Sequence, residues 1–180
     1  MDAISMIKER RSVRKFKNEK VDRETMTEIV EVSRWAPSWG NFQVARYTLV
    51  DDPVTIKRLS EEGVNEFVYN VNTLKEAKGV AVLSFVKGKS GKLDEDAYVT
   101  SKASTWEVFD AGIACQTFCL AAHEKGVGTV VMGVIDDASI SLIAGLPEEE
   151  TVAALIVYGY PDEQPAATPR KPVEEIVRFI

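Results

Sequence analysis

The sequence predicts a domain that combines helices with a sheet of about four core strands and carries helices on both faces of that sheet. Two continuous apolar runs, Gly79–Val86 and Thr151–Tyr160, have the length and composition of buried strands. A third apolar stretch, Trp106–His123, is too long for a strand and is typical of a helix buried nearly all round. A buried helix of this length in a short chain also suggests a core shared between two subunits.

Composition indicates an ordinary globular protein. The 180 residues suffice for one domain, 1–180, with a sizeable core. The formal net charge of −6 argues against non-specific nucleic-acid binding, which depends on basic residues that neutralise phosphates. The start is charged, and no uninterrupted apolar run reaches the ~20 residues that span a bilayer. We therefore expect a cytoplasmic protein with no membrane partner and two reduced cysteines.

Two helices are predicted in the N-terminal part of the chain. Asp2 can cap a helix that ends near Glu9. Its buried side would carry Ile4, Met6 and Ile7. Asp22 can cap a second helix, which ends before Pro37 because proline disfavours helix in the residue before it. Its packed face would carry Met26, Ile29, Val30 and Ser33.

The remaining elements follow the same capping and periodicity rules. They are a strand at Val44–Val50, helices at Pro53–Gly63 and Val64–Lys78, a strand at Thr129–Val131, a helix from Asp136 to about Gly145, and a short helix at Val173–Arg178. Gly126 is expected to end the long helix, since glycine readily adopts the left-handed conformation found there. The polar segment 87–92 and the proline-rich tail 161–172 are expected to lie on the surface.

The densest charge feature lies between Lys8 and Lys20. Its basic residues are Lys8, Arg10, Arg11, Arg14, Lys15, Lys17 and Lys20, against the acids Glu9 and Glu19. One interpretation is a helix end, where cations are favoured by the helix dipole. The other is an anion site, because arginine forks suit phosphate and Ser12 adds a hydroxyl donor.

Few residues in the chain could perform acid–base or metal chemistry. Cys115, Cys119 and His123 share one face of the long helix, but no fourth ligand is evident and core packing is favoured over a metal site. His123 is the only histidine, so a histidine-dependent hydrolase would have to use it. We therefore predict no metal and no catalytic side chain. A bound phosphorylated cofactor would carry the reactivity instead.

Four motifs, in this order, resemble the FMN-dependent nitroreductase family. They are Arg10–Arg14 (RRSVR), Ala36–Gln43 (APSWGNFQ), Asp110–Ala114 leading to Gly126–Gly133, and Gly159–Pro161 with Arg170. The resemblance covers most of the chain. It implies an α+β fold, a three-layer sandwich with a central mixed sheet flanked by helices, and an intertwined homodimer with FMN at the subunit interface.

The resemblance also implies three groups of cofactor-binding residues. The residues expected to hold the phosphate and the polar edge of the flavin are Arg10, Arg11, Ser12, Arg14 and Arg170. Those expected to line the flavin from the partner subunit are Pro37, Ser38, Trp39 and Asn41. The segment expected against the ring, with a backbone N–H reaching its reactive nitrogen, is Val131, Met132 and Gly133. Asn70 is a further candidate for a ring contact.

The implied activity is an NAD(P)H-dependent FMN oxidoreductase. NADH or NADPH would reduce the flavin and leave, and a nitroaromatic, quinone or similar small molecule would then take the electrons in ping-pong order. Two alternatives remain open: a specialised ene-reductase or reductive dehalogenase, and a flavin-binding module with little turnover. Two departures from the family are a short substrate-covering stretch, Lys87–Ser104, and Met132 where some members carry an acid. The physiological acceptor and the choice of nicotinamide stay undetermined.

Overall fold

Helices and strands follow one another along the chain in the predicted order. The structure, a computed structural model, describes residues 2–94 and 97–180, so part of the stretch 87–104 lies outside the described residues. The elements are α1 (Ala3–Glu9), α2 (Arg23–Ser33), β1 (Ala45–Val50), α3 (Pro53–Glu62), α4 (Val68–Glu76), β2 (Gly79–Val86), α5 (Thr105–Glu124), β3 (Gly128–Met132), α6 (Asp137–Ala144) and β4 (Glu150–Gly159). Short 3₁₀ turns occupy Trp39–Asn41 and Val173–Glu175.

The four strands form one sheet in the order β1-β2-β4-β3, and every neighbouring pair is antiparallel. The two continuous apolar runs, β2 and β4, occupy the centre, where both edges of each strand are paired. A mixed sheet was expected. Among the described residues the parallel component is limited to one bridge, between Ser12 and Thr129 at the β3 edge.

Side chains of the central strands alternate between two buried clusters. Val80 and Val82 of β2 belong to the core beneath α3, α4 and α6. Ala81 and Leu83 belong to the core beneath α2 and α5. Because a strand turns successive side chains to opposite faces, the two clusters define a helix–sheet–helix sandwich. The three-layer α+β architecture is therefore confirmed.

The helix boundaries come from local sequence. The side chains of the predicted caps Asp2, Asp22 and Asp136 accept backbone N–H bonds in the first helical turns. Asp52, which the sequence analysis did not predict as a cap, does the same for α3. At the end of α5, Gly126 has φ 74°, and the N–H of Val127 donates to the carbonyl of Ala122 at 2.9 Å. This is a Schellman motif, which satisfies carbonyls of the last turn.

Two predicted helices are shorter in the structure. α4 begins at Val68 and not at Val64, because Asn65 and Glu66 adopt left-handed conformations that break a helix. Near the C-terminus only Val173–Glu175 forms a 3₁₀ turn. Among the described residues, no helix is both long and apolar enough to cross a bilayer.

Two apolar surfaces remain uncovered in the single chain. Ile4 and Ile7 of α1 are 65% and 58% exposed, so the prediction that they lie on a buried side is wrong within one chain. α5 contacts all four strands, yet Val108 and Phe109 on its outer side are 56% and 58% exposed. The helix is therefore buried on one side only, and its apolar outer side is left without cover.

A close approach between strands gives a direct test of the sheet register. Gly79 pairs with Tyr158, whose ring lies 2.1 Å from the position that a Cβ at residue 79 would occupy. We predict that Gly79→Ala lowers the free energy of unfolding by about 1–3 kcal/mol, because it overpacks this contact. Urea denaturation measures the effect.

A double-mutant cycle provides the control for that prediction. In a Tyr158→Ala background the ring is gone, so adding the methyl group at position 79 should have little effect on stability. An equal loss of stability in both backgrounds would show that the ring of Tyr158 does not cover Gly79.

Candidate cofactor-binding site

The arginine-rich segment after α1 is attached to the exposed edge of β3. The N–H of Val13 donates to the carbonyl of Thr129 at 3.0 Å, beside the bridge from Ser12. A Cβ at Gly128 would lie 2.9 Å from the Cβ of Val13, so this approach requires glycine. The segment 10–16, here called the N-terminal arm, therefore lies against the sheet with its direction fixed.

The end of the arm is held by the residues that follow β4. The N–H of Lys17 donates to the carbonyl of Tyr160 at 2.9 Å, and the N–H of Asp162 donates to the carbonyl of Lys15 at 3.0 Å. Between the arm, the end of α5 and the segment 161–165 lies a groove of about 500 Å³. Its polar and charged lining residues are Glu9, Arg10, Arg11, His123, Thr129, Glu163 and Gln164.

The arginines of the arm have different partners. Arg11 donates from Nη1 to the carbonyls of Lys8 and Arg10 at 2.6 and 2.9 Å, which is the helix-end role that its position also allowed. Arg14 is exposed and donates to the carbonyl of Ser12 at 3.3 Å. The Nε of Arg10 is buried and has no hydrogen-bond partner among the described residues. Arg10 therefore has donor capacity left for a ligand in the groove.

An acid that the sequence analysis did not single out shares this groove. Glu163 accepts hydrogen bonds from the backbone N–H groups of Arg14 and Lys15, at 2.6 and 3.2 Å. These bonds connect the C-terminal segment to the arm and place a negative charge near Arg10 and Arg11. Glu163 stands beside Asp162 in a proline-rich tail, and such a pair of acids gives no sequence signal for this contact.

The loop Pro37–Gln43 has an unusual backbone. Gly40, Asn41 and Gln43 all have positive φ, at 55°, 57° and 51°. Non-glycine residues in this region are uncommon, and backbone strain of this kind concentrates at functional sites. The ring of Trp39 stacks on Phe42, with centroids 5.5 Å apart. The surrounding structure must hold this loop in place.

Two buried acids on α5 accept hydrogen bonds from that loop and from the segment 88–90. Both carboxylate oxygens of Asp110 accept from the N–H of Trp39, at 3.0 and 3.1 Å, and one also accepts from the hydroxyl of Ser90 at 2.6 Å. Glu107 accepts from the N–H groups of Gly88 and Lys89. The sequence shows these acids only as polar exceptions in an apolar helix. They lie three residues apart and therefore on the same side of the helix, which is the feature of the sequence that could have indicated a shared structural role.

The segment expected against the flavin ring follows β3. Met132 is buried in the core, so only its backbone could face a ligand, whereas Val131 and Gly133 are exposed. A Cβ at Gly133 would meet nothing within 4 Å, which leaves open space beside the backbone. The segment is held from the α4 side. There, the amide of Asn70 donates to the carbonyl of Val134 at 3.0 Å, and Asn65 donates to that of Ile135 at 2.9 Å.

The single chain does not gather all the predicted site residues. Arg10 and Arg11 line the groove, whereas Pro37 and Ser38 line a different cavity, which also includes Tyr47. Arg170 donates to Thr168 and to the carbonyl of Pro169, and it does not line the groove. Asn70, predicted as a ring contact, has its amide group bonded to Val134.

The two cysteines lie inside the domain. Cys115 and Cys119 are free and buried on α5. The pKa of Cys119 is lowered, chiefly because the Cys115 thiol hydrogen-bonds to it, and burial opposes this effect. Within residues 2–94 and 97–180, no cluster of three or more His, Cys, Asp or Glu side chains is arranged to hold a metal ion.

The three-layer α+β fold described above also occurs in proteins of known structure. A nitroreductase family protein from Streptococcus pneumoniae has the same fold, with a TM-score of 0.86 at 17% identity over 99% of this chain and 100% of that chain. The model of the nitroreductase family matches residues 7–160. The chain therefore belongs to the nitroreductase family and is an oxidoreductase.

Two curated relatives are similar over nearly the whole chain. An iodotyrosine deiodinase from Thermotoga neapolitana is 29% identical, over 97% of this chain and 95% of the relative. An NADPH-flavin oxidoreductase from Vibrio harveyi is 26% identical, over 98% of this chain and 72% of the relative.

We predict that Asp110→Asn destabilises the protein, because an amide provides one acceptor where the carboxylate provides two for the Trp39 N–H and Ser90. The free energy of unfolding should fall by about 1–3 kcal/mol, and tryptophan fluorescence of the folded state should change as Trp39 moves. Glu124→Gln, at the exposed end of the same helix, is the matched control and should stay within about 0.5 kcal/mol of wild type. Unchanged stability and fluorescence in Asp110→Asn would contradict this role.

Proposed function

We propose that the protein is an FMN-dependent oxidoreductase that uses NADH or NADPH to reduce nitroaromatics, quinones or similar small acceptors. We further propose that it acts as a homodimer of single-domain subunits, 1–180, in the cytoplasm. Family membership and the NADPH-flavin oxidoreductase relative support a flavin and a reduced nicotinamide. The observation that carries the proposal is the groove beside β3, in which Arg10 has a buried nitrogen that bonds to none of the residues the structure describes.

The residues of the groove fit a phosphorylated cofactor. Buried polar atoms in folded proteins nearly always have a hydrogen-bond partner, so the Nε of Arg10 calls for an acceptor. A phosphate oxygen is such an acceptor, and charge-assisted bonds between arginine and phosphate are among the strongest in proteins. Arg11 adds a second positive charge at the same groove. Ser12 and Arg14 extend along the arm, where we place the polar edge of the flavin.

Two observations support a second copy of the chain. The apolar surfaces of α1 and of the outer side of α5 are uncovered, and contiguous exposed apolar surface marks interaction sites. Residues of the Pro37–Gln43 loop, whose backbone is strained, line a cavity that is separate from the groove. A dimer would cover the apolar surfaces and could bring that loop to the partner's groove, so we place Pro37, Ser38, Trp39 and Asn41 against the partner's flavin.

When bound, the flavin would supply the redox chemistry between a reduced nicotinamide and the second substrate, in ping-pong order. The chain's own residues bind and orient. Arg10 and Arg11 hold the phosphate, and Gly133 leaves room for a planar ring beside the backbone. Asn65 and Asn70 keep the backbone at 134–135 in place, so the neighbouring N–H groups stay oriented. Arg170 would reach the phosphate only after a change in the tail.

A second candidate function is reductive dehalogenation. The specific observation that favours it is the iodotyrosine deiodinase, which is 29% identical over nearly the full length of both chains. Both functions would use the same reduced cofactor and differ in the acceptor. A panel of nitroaromatics, quinones, enones and halophenols, each offered to the reduced protein, separates the two functions by which compound reoxidises the flavin.

The absorption spectrum of the purified protein tests the proposed function. We expect a yellow protein, or one that becomes yellow with FMN, and we expect the colour to bleach on addition of NADH or NADPH. Titration with each nicotinamide also identifies the preferred donor. A colourless protein that takes up no FMN would contradict the proposal. Tight FMN binding without bleaching would leave a flavin-binding module with little turnover.

Removal of the guanidinium of Arg10 should weaken binding of FMN but not of riboflavin, which lacks the phosphate. For Arg10→Gln we expect a loss of about tenfold or more in FMN affinity, since a charge-assisted hydrogen bond contributes ~1.5–3 kcal/mol. Flavin fluorescence quenching measures both affinities. Arg58→Gln on α3, whose partner is Glu62 of the same helix, is the control and should bind FMN as wild type does. Equal losses for FMN and riboflavin would argue against a phosphate contact.

A further inference from the structure

Two buried nitrogen atoms that have no hydrogen-bond partner in residues 2–94 and 97–180 belong to residues that line the same groove. Within the described residues, four buried side-chain polar atoms have no hydrogen-bond partner: Arg10 Nε, Thr100 Oγ1, Trp106 Nε1 and His123 Nε2. Arg10 and His123 both line the groove beside β3. Because buried polar atoms are rarely left unpaired, two of them at one groove indicate a ligand that serves both.

The fold places these two side chains together from distant parts of the sequence. Arg10 follows the last residue of α1, and His123 lies in the last turn of α5, which α1 contacts. The Schellman turn at Gly126 then returns the chain directly into β3, to which the arm is bonded. The imidazole is therefore held at the groove by the same turn that begins the edge strand.

The hydrogen-bond donor of Arg10 that is unpaired among the described residues favours an anion at the position beside His123. The charged groups that line the groove with it are Glu9, Arg10, Arg11 and Glu163, and its neighbours on α5 and beyond include Cys119, Glu124 and Lys125. The carboxylate of Glu163 is already bonded to the backbone of the arm, and Lys125 is paired with Glu28. Arg10 is left as the group with free donor capacity beside the imidazole.

The same surroundings set the protonation state of the His123 imidazole in the protein without a ligand. Burial lowers the pKa of His123 most, and the nearby positive charges of Arg10 and Arg11 lower it further, while the carboxylate of Glu9 partly opposes them. The imidazole is therefore neutral at neutral pH when the groove holds no anion. A phosphate with nearly two negative charges would reverse this balance, since an opposite charge nearby favours the protonated form.

We propose that His123 is a further ligand of the cofactor's phosphate, next to Arg10, and that its imidazole takes up a proton when the phosphate binds. The proposal rests on the proposed function in one respect, that the phosphate is that of FMN. Proton uptake on binding links affinity to pH. The contribution of the protonated imidazole to phosphate affinity is fully present at low pH and is lost as pH rises through the pKa of His123 in the complex. Each unit by which binding raises the pKa of His123 corresponds to a tenfold gain in affinity at low pH.

The chain has a single histidine, so one resonance reports on this site. We would titrate the imidazole Cε1–H signal of ¹³C-labelled protein by NMR, without ligand, with FMN and with riboflavin. FMN should raise the pKa by about one unit or more, which is the size expected for a nearby opposite charge, and riboflavin should leave it unchanged. The same pKa with FMN as with riboflavin would overturn the proposal.

A parallel titration with sulfate separates this proposal from the proposed function. Sulfate carries two negative charges and does not itself titrate between pH 5 and 8. If FMN binds and the pKa of His123 does not move, only the phosphate-ligand proposal fails. If FMN does not bind, the proposed function fails, and sulfate then decides whether His123 is an anion ligand: an increased pKa supports that role, and an unchanged pKa overturns it.

A substitution measures the consequence for binding. For His123→Gln we expect the difference between FMN and riboflavin affinity to vary less with pH than in wild type, so that the two proteins agree at high pH and diverge by about tenfold at low pH. The exposed neighbour variant Glu124→Gln should follow wild type. Identical pH profiles in His123→Gln and wild type would overturn the proposal. Should the variant fail to fold, the wild-type titration still decides.

Discussion

The pairing of the N-terminal arm with the edge of β3 is the interaction on which the rest of the site depends. The bond from Val13 to Thr129 closes an otherwise open sheet edge and fixes where the arginines of the arm can lie. Gly128 permits the close approach, and Glu163 fastens the arm from its other side. Without this pairing, Arg10 would be one more solvated cation at a helix end. With it, the guanidinium is partly desolvated at a groove.

The long helix α5 connects the groove to the Pro37–Gln43 loop, which we place at the partner's groove. Its C-terminal turn brings His123 to the groove, while Asp110 near its other end holds the Pro37–Gln43 loop through the N–H of Trp39. Its inner side packs on all four strands and keeps these ends at a fixed separation. The uncovered outer side, with Val108 and Phe109, is where we place a second copy of the chain.

The sequence predicted what depends on local interactions. Strand positions, the aspartate caps Asp2, Asp22 and Asp136 and the glycine end of α5 follow from periodicity and capping, and the structure has them at or near the predicted residues. What it could not predict depends on contacts between distant segments. The charge pattern alone could not separate Arg11, which caps α1, from Arg10, which faces the groove. The sequence allows His123 as a core residue, a metal ligand or a hydrolase residue, but it does not indicate an anion ligand, because the proximity of His123 to Arg10 arises from folding.

The central claim is that the groove between the arm, β3 and the end of α5 holds the phosphate of FMN. A crystal structure of the protein with FMN tests it most directly. We expect phosphate oxygens at about 3 Å from the Nε of Arg10 and the Nε2 of His123, with the flavin ring extending toward Gly133. A phosphate bound elsewhere, with the Arg10 side chain still buried and unpaired, would rule out the groove as the phosphate site.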